Sequence, residues 1–288
     1  MPLVLKVALV TAIVIGATAA LLMWTTRVLQ NHLMYYPATE HVLPSAENLK
    51  NVEERVLSTP DGERVMVWYG RAKPGMPTLL YFHGNAGSLA DRAERIRKYM
   101  AKGYGMFMMT YRGFGGSTGS PSERANVADA NLAYDALIAS GVPPSDIIIY
   151  GESLGTNVAV QVASKQRAAG LILDAPYTSM IDLARVHYPQ IPLRWLMTDR
   201  YDTMRDIGKV TMPLLIIQGG KDDIVPPELG KAVFAAANEP KQIAVFPEAD
   251  HTEHYKYGSY DLIFRWVREV VRGKADAAKD KGSSASSH

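Results

Sequence analysis

Short apolar runs alternate with stretches typical of helices through most of the chain, beginning at Thr78. The runs cover residues 78–82, 106–110, 147–150, 171–173, 213–217 and 243–246. Strands that are apolar throughout are buried on both faces, as in a parallel sheet covered by helices. Upstream, residues 52–58 and 63–69 flank Asp61-Gly62, a pair that favours a hairpin turn. The pattern predicts an α/β fold with a mostly parallel central sheet, an antiparallel N-terminal hairpin and helices on both faces.

A different apolar pattern lies near the N-terminus, where residues 7–24 carry no charge. A transmembrane helix needs roughly 20 apolar residues, whereas the core of a cleavable signal has about 7 to 15. We therefore predict a transmembrane anchor over residues 1–28. The amino terminus and Lys6 before the run outweigh Arg27 after it, and this slight excess of positive charge favours a cytoplasmic N-terminus, which places the rest of the chain on the periplasmic or lumenal side. The small residues at 17–19 keep a cleaved signal peptide as an alternative, and a buried core helix is disfavoured because no polar face repeats.

The anchor, the alternating region and the tail give the predicted domain organisation. A connector spans residues 29–50, the α/β domain spans residues 51–272, and the tail 273–288 has nothing to bury and is predicted to be disordered. Tyr35-Tyr36-Pro37 in the connector either meets the membrane interface or packs on the domain. The alternation is interrupted at about 175–210 by an insert rich in aromatic residues. Ligands bind at the carboxyl ends of the strands of open α/β sheets, so the insert is either a lid or a helical connection packed on the body.

Composition excludes several functional classes. The 288 residues include 31 basic and 29 acidic side chains, so bulk charge indicates no nucleic-acid partner. Cysteine is absent, which excludes disulfides, thiolate zinc sites and a cysteine nucleophile. The loop Gly113-Phe114-Gly115-Gly116 lacks the spacing of a nucleotide-binding motif, and His251-Thr252-Glu253-His254 lacks the glutamate that a zinc protease carries after its first histidine. We predict neither a metal nor a cofactor.

The motif Gly151-Glu152-Ser153-Leu154-Gly155 lies between the apolar run 147–150 and a helix-like stretch at 156–165. A G-x-S-x-G turn between a strand and a helix holds its serine in a strained conformation and exposes the hydroxyl. The hydroxyl then stands at the positive end of the following helix. The context predicts that Ser153 is a nucleophile.

A serine nucleophile needs a histidine base, and that base needs an acid to orient it. The acid and then the base are expected after later strands. Asp222 and Asp223 follow the run 213–217, and His251 follows the run 243–246. His251 is favoured over His254 because it lies closer to its strand. His83 precedes the nucleophile in the chain, which suits a role beside the oxyanion and not that of the base. Position alone leaves Asp222 and Asp223 as alternatives.

Four motifs carry a resemblance to a known family. They are His-Gly-Asn-Ala-Gly at 83–87, Tyr-Arg-Gly-Phe-Gly-Gly-Ser-Thr-Gly at 111–119, Pro-Ser-Glu at 121–123 and the nucleophile motif at 151–155. Together they resemble the α/β-hydrolase superfamily from about Tyr36 to Val271. More narrowly, the chain is similar to membrane-anchored α/β-hydrolase-domain proteins, which include protein depalmitoylases and lysophospholipid lipases.

The resemblance implies roles for further residues. The family's G-x-x-D-x-x-V-P segment aligns at residues 219–226, so Asp222 is the implied acid. The oxyanion hole is implied to use the backbone N–H groups of Leu154 and of Asn85. The Asn85 side chain is a further candidate donor to the oxyanion. The family usually has glycine before its base, whereas this chain has Asp250 before His251, and the added carboxylate is expected to raise the pKa of that histidine.

These observations predict a serine hydrolase that cleaves acyl esters or thioesters of small or lipid-like substrates near a membrane. An aminopeptidase-like amide hydrolase would use the same three residues and is the first alternative. A membrane-tethered binding protein that kept the fold without the chemistry is the second.

Overall fold

The computed structural model describes residues 2–251 and 253–285, with side chains in the last helix described only near its start. Ten strands are present in this part of the chain: β1 Tyr36–Pro37, β2 Val52–Ser58, β3 Arg64–Gly70, β4 Thr78–Phe82, β5 Ala86–Gly87, β6 Gly105–Met109, β7 Ile147–Glu152, β8 Gly170–Asp174, β9 Leu214–Gly219 and β10 Lys241–Phe246. The α-helices are α1 Leu3–Met34, α2 Ala93–Ala101, α3 Glu123–Ala139, α4 Leu154–Ala163, α5 Met180–His187, α6 Leu193–Leu196, α7 Thr203–Asp206, α8 Pro227–Ala236 and α9 Ser259–Ala285.

Eight strands form one sheet in the order β10-β9-β8-β7-β4-β6-β3-β2. The neighbours from β10 to β6 pair in parallel, and β3 pairs antiparallel with both β6 and β2. The hairpin of β2 and β3 turns at Gly62, whose φ of 90° lies in the left-handed region that glycine adopts without strain. The predicted fold class is therefore confirmed, including the N-terminal hairpin.

The core lies on both faces of this sheet. Along β4, Leu80 and Phe82 join the cluster that packs with α3 and α4, whereas Leu79 and Tyr81 join the cluster that packs with α2 and α9. All four side chains are fully buried. Successive side chains on a strand point to opposite faces, so a strand covered on both sides has to be apolar at every position. This explains the continuous apolar runs in the sequence.

Helix α1 is long and apolar enough to cross a membrane, and its apolar window is not buried by the rest of the protein. It extends past the predicted boundary at residue 28, and only Gln30 and Met34 near its end are buried. The strand β1 follows at once and pairs with β5 in the small second sheet. Tyr35 is buried and Tyr36 is half exposed. The predicted connector thus begins as helix and strand packed on the domain.

The insert and the tail both contain helix. The insert holds α5, α6 and α7, with Tyr177 and Tyr201 fully buried and Trp195 exposed, so it combines packed and open segments. Helix α9 continues to Ala285, whereas the composition predicts disorder from residue 273. Alanine and lysine, which are frequent in this stretch, have a high helix propensity, so a helix can continue there by local hydrogen bonds. The end of the predicted tail, residues 286–288, lies outside the described residues.

Candidate active site

Ser153 occupies a strained turn between β7 and α4. Its φ of 51° and ψ of −117° are unusual for a residue with a side chain. The flanking glycines are required by close backbone contacts. A Cβ at Gly151 would lie 2.4 Å from the carbonyl oxygen of Gly155, and a Cβ at Gly155 would lie 2.1 Å from that of Phe82. The strain therefore follows from packing the turn against β4, as the motif predicts.

Ser153, His251 and Asp222 are brought together at the carboxyl ends of their strands. The Nε2 atom of His251 lies 3.0 Å from Oγ of Ser153, and its Nδ1 atom lies 2.8 Å from Oδ2 of Asp222. Both distances are within hydrogen-bond reach. The serine and the histidine are separated by 98 positions in the chain, so the sheet and not local sequence brings them into contact. In this arrangement the imidazole can take a proton from the hydroxyl while the carboxylate holds it in place.

The Asp222 carboxylate is enclosed by hydrogen-bond donors. Its side chain is completely buried. Oδ1 accepts hydrogen bonds from the backbone N–H groups of Ile224 at 3.1 Å and Val225 at 2.7 Å, and Oδ2 also accepts one from the Gln218 amide at 3.3 Å. Asp223, the alternative acid, is exposed. The donors around Asp222 fix the direction of its carboxylate toward His251.

The environment of His251 favours its protonated form. Burial by itself opposes the charge on the imidazole, but the hydrogen bond and the negative charge of Asp222 outweigh it, with smaller contributions from Asp174 and Glu152. The pKa of His251 therefore lies above its ordinary value of 6.5. Asp250, which the sequence led us to expect as a cause, is not among the main causes of this shift. Its carboxylate accepts a hydrogen bond from the backbone N–H of His251.

The second histidine of the H-x-x-H pair serves a different contact. His254 is buried, with Nδ1 at 2.7 Å from Oγ of Ser259 and Nε2 at 2.8 Å from Oδ1 of Asp174. His251 and His254 thus face separate carboxylates. The carboxylate oxygens of Asp222, Asp223 and Asp250 lie within 4.8 Å of one another, but Asp222 is already engaged by the imidazole.

The loop after β4 carries the predicted oxyanion residues. The Asn85 side chain donates a hydrogen bond of 2.8 Å to the carbonyl oxygen of Met34, at the end of α1. The carbonyl oxygen of Asn85 accepts a hydrogen bond of 2.9 Å from the N–H of Tyr36. The Asn85 side chain therefore links this loop to the end of α1. Its amide nitrogen is already engaged there, which argues against a role of the side chain in binding an oxyanion.

The backbone N–H groups of Leu154 and Asn85 are in a different situation. Leu154 is the first residue of α4, where helical N–H groups have no intrahelical acceptor. Within the described part of the chain, neither N–H has a protein acceptor. Donors left free at a helix start are suited to bind an anion. One donor directly follows Ser153 at the start of α4, and the other lies on the loop after β4. Both positions fit the predicted oxyanion hole.

His83 packs under the loop after β4 and hydrogen-bonds to its backbone. Its ring is fully buried, with Nδ1 at 2.6 Å from the carbonyl oxygen of Gly84 and Nε2 at 3.3 Å from Oγ1 of Thr110. Burial, assisted by the charge of Arg92, lowers the pKa of His83 to about 3. The imidazole is therefore neutral and acts as a packed hydrogen-bonding group, in agreement with its exclusion as the base.

A buried network of charges below Ser153 has no signal in the sequence motifs. Glu152 forms ion pairs with Arg92 at 3.2 Å and Arg95 at 2.7 Å, and it accepts a hydrogen bond from Tyr81. Burial opposes ionisation of Glu152, but the two arginines outweigh it and its pKa falls below the ordinary value. Asp174 joins through Arg95 at 3.6 Å, and its backbone oxygen accepts the Ser153 N–H at 2.8 Å. The network thus holds the Glu152 side chain and the Ser153 backbone N–H at the start of the serine turn. The one sequence feature that indicates this network is the position of Glu152 directly after an apolar run, where a charged side chain needs a buried partner.

Comparisons with known proteins identify the class of fold. A family model described as the alpha/beta hydrolase fold matches residues 77–206. The uncharacterized protein Rv2307c of Mycobacterium tuberculosis is 38% identical over 88% of both chains. The alpha/beta hydrolase domain-containing protein WAV2 of Arabidopsis thaliana is 30% identical, over 80% of this chain and 83% of its own. Among solved structures, the Pyrococcus furiosus esterase Pf2001 superposes with a TM-score of 0.64 at 18% identity, covering 83% of this chain and 97% of the esterase.

The fold and the site define a protein with a nucleophile turn at the centre of an α/β sheet. The chain belongs to the α/β-hydrolase superfamily.

Proposed function

We propose that the protein is a serine hydrolase that cleaves carboxylic acyl esters or thioesters. The observation that carries the proposal is the continuous hydrogen-bonded chain from Ser153 through His251 to the buried Asp222. The strained turn at Ser153 supports it, since such strain is concentrated at functional sites. The membership in the α/β-hydrolase superfamily supports the reaction class, and the proposed roles rest on the residues themselves.

The proposed reaction begins with attack of the Ser153 oxygen on the acyl carbonyl carbon. His251 accepts the hydroxyl proton, and Asp222 stabilises the imidazolium that forms. The backbone N–H groups of Leu154 and Asn85 hold the negative oxygen of the tetrahedral intermediate. His251 then gives this proton to the departing alkoxide or thiolate. An acyl-enzyme, with the acyl group on the Ser153 oxygen, remains. Water, deprotonated by His251, then attacks this ester; the carboxylic acid is released, and His251 returns the proton to the Ser153 oxygen.

A fluorophosphonate probe tests the nucleophile directly, because it phosphonylates an activated serine. Wild-type protein is expected to be labelled, and Ser153→Ala is expected to lose the label. Ser120→Ala removes an exposed serine outside the site and is the matched control. Equal labelling of Ser153→Ala and wild type would refute the assignment of Ser153.

The acyl substrate is proposed to be lipid-like and presented at a membrane. The long apolar helix α1 supports this, and its end contacts the oxyanion loop through Met34 and Asn85. Turnover of a short-chain ester, a long-chain acyl thioester and a peptide amide distinguishes the candidates. Preference for the long-chain acyl thioester agrees with the proposal, and preference for the amide favours an aminopeptidase-like hydrolase.

The domain is proposed to lie on the periplasmic or lumenal side, held by α1. The slight excess of positive charge before the apolar run, from the amino terminus and Lys6 against Arg27 after it, supports that orientation. The expected result is resistance to alkaline carbonate extraction, together with protection from protease inside sealed inside-out vesicles of the producing cell. Release of the domain by carbonate would instead indicate a cleaved signal.

A further inference from the structure

Five large apolar side chains of the insert are exposed on the end of α5, on α6 and on the segment between them. We call them the insert face: Val186, Tyr188, Ile191, Trp195 and Leu196. Trp195 is 86% exposed. The same insert buries Tyr177 and Tyr201 completely, so its aromatic residues are separated into a packed set and an open set. Clustered exposed apolar side chains indicate an interaction surface.

The insert face is tied to the end of helix α1. The side-chain oxygen of Gln30 accepts hydrogen bonds from the backbone N–H groups of Thr198 at 2.7 Å and Asp199 at 3.1 Å. Gln30 is buried, and the Tyr35 hydroxyl donates to Asp199 at 2.9 Å. The residues bound in this way follow Trp195 and Leu196 by only a few positions. The insert face therefore lies beside the point where α1 leaves the domain.

Helix geometry gives the height of this junction above the apolar span. The charge-free run ends at Thr26, four residues before Gln30, which corresponds to about 6 Å along the helix axis. The headgroup layer of a bilayer is about 5 to 8 Å thick on each side. If α1 spans a membrane, the insert face lies at the depth of the headgroups. Exposed tryptophan and tyrosine side chains are typical of that depth.

Charge on the insert is suited to the same environment. Between residues 183 and 198 the chain contains Arg185 and Arg194 but no aspartate or glutamate. Both arginines are exposed, although Arg185 also pairs with Asp182 at 3.6 Å, and Arg27 follows the apolar run on α1. Cationic side chains beside apolar ones bind anionic lipid surfaces.

The insert also reaches the proposed active site. Nε2 of His187 lies 2.9 Å from the carbonyl oxygen of Ile224, in the loop that carries Asp222. The insert is therefore fixed to the end of α1 on one side and to the acid loop on the other. We propose that the insert face docks into the headgroup region of an anionic bilayer and forms a second membrane contact next to the active site. This inference rests on the proposed membrane attachment through α1.

Tryptophan fluorescence tests the docking on the full-length chain. Trp68 and Trp266 are buried in the domain, so in a Trp24→Phe background Trp195 is the tryptophan open to lipid among the four in the sequence. The protein is reconstituted into phosphatidylcholine vesicles containing phosphatidylglycerol, with brominated acyl chains as quencher. Strong quenching that disappears in Trp24→Phe/Trp195→Phe is the expected result. Equal quenching of the two variants would overturn the proposal.

Two controls separate the causes of a negative result. Trp195→Phe with Trp24 retained reports whether α1 has entered the bilayer, and Ser153→Ala in the Trp24→Phe background is expected to dock normally without turnover. Absent turnover with normal quenching would therefore count against the proposed reaction and not against the docking. If the insert face instead contacts a second copy of the chain, light scattering in detergent would show a dimer that Trp195→Ser abolishes, and the proposal would be overturned.

Activity provides an independent measurement. Trp195→Ser is expected to lower the turnover of a vesicle-embedded long-chain acyl thioester by about tenfold, the change expected when one large apolar side chain loses its buried surface. Turnover of a water-soluble short-chain ester is expected to stay unchanged. Val56→Ser alters another exposed apolar side chain, on the edge strand β2 and outside the insert, and it is the control. A parallel loss on both substrates would contradict docking as the cause.

Discussion

Replacing Asp222 with asparagine removes the negative charge beside His251 and nearly preserves the shape of the side chain. Asp222 accepts the hydrogen bond of His251 Nδ1 at 2.8 Å and is completely buried. Two further bonds come from the N–H groups of Ile224 and Val225. An asparagine oxygen can keep accepting from these two N–H groups, which turns its NH₂ group toward the imidazole.

The reversed amide changes the tautomer of the base. An NH₂ donor facing Nδ1 makes that nitrogen an acceptor, so the proton moves to Nε2 and points at Ser153. The base can then no longer take the hydroxyl proton. Where a catalytic acid of this kind has been replaced by asparagine, kcat falls by about 10⁴. That factor corresponds to about 5 kcal/mol in the activation free energy.

The assay is the steady-state hydrolysis of a short-chain p-nitrophenyl ester at neutral pH. Asp223→Asn is the matched control, because Asp223 is adjacent in sequence but exposed, and it is expected to keep near wild-type turnover. Thermal unfolding followed by circular dichroism checks that Asp222→Asn remains folded. A kcat for folded Asp222→Asn within tenfold of wild type would refute the proposed role of Asp222, and a large loss in Asp223→Asn alone would transfer it to the neighbour.

Three further predictions concern the base, the nucleophile turn and the buried network. Because the pKa of His251 lies above 6.5 and the neutral form is the base, kcat/KM is expected to rise with pH and reach half its maximum above pH 6.5; a midpoint below that value in a pH profile would contradict this. Gly155→Ala is expected to destabilise the fold by several kcal/mol and abolish activity, because the added Cβ meets the Phe82 carbonyl oxygen at 2.1 Å, whereas a Cβ at Gly208 meets nothing within 4 Å and Gly208→Ala is expected to melt within a few degrees of wild type. The folded-state pKa of Glu152 is depressed, so its ionisation stabilises the fold above its ordinary pKa of 4.5 and this contribution is lost as the pH falls; Glu152→Gln is expected to weaken the acid dependence of urea unfolding, and an unchanged dependence would argue against it.

Much of the fold and the nucleophile turn was predictable from local sequence. The alternation of apolar runs predicted the buried parallel strands, and the glycines around Ser153 predicted a turn that a Cβ would block. Such features depend on residues close together in the chain. The approach of Asp222 and His251 to Ser153 was also predictable. Each residue follows a strand, and the carboxyl ends of parallel strands meet at one edge of the sheet.

Other features depended on contacts between distant segments. The Asn85 side chain bonds to Met34, which lies 51 positions away, and no local pattern indicates that contact. The ion pairs of Glu152 with Arg92 and Arg95 join residues about 60 positions apart. Each charge by itself resembled an ordinary surface residue. Only the packing of α2 against the sheet shows that the charges are buried and paired.

The sequence by itself determined the class of fold, the strained serine turn and the presence of an apolar helix, because these follow from local periodicity, glycine spacing and length. The tertiary structure decided which of Asp222 and Asp223 faces the imidazole, which group the Asn85 side chain bonds to, and how the end of α1 contacts the insert. Those outcomes depend on strand order, register and burial, which bring together groups whose separation along the chain exceeds the range of any local pattern.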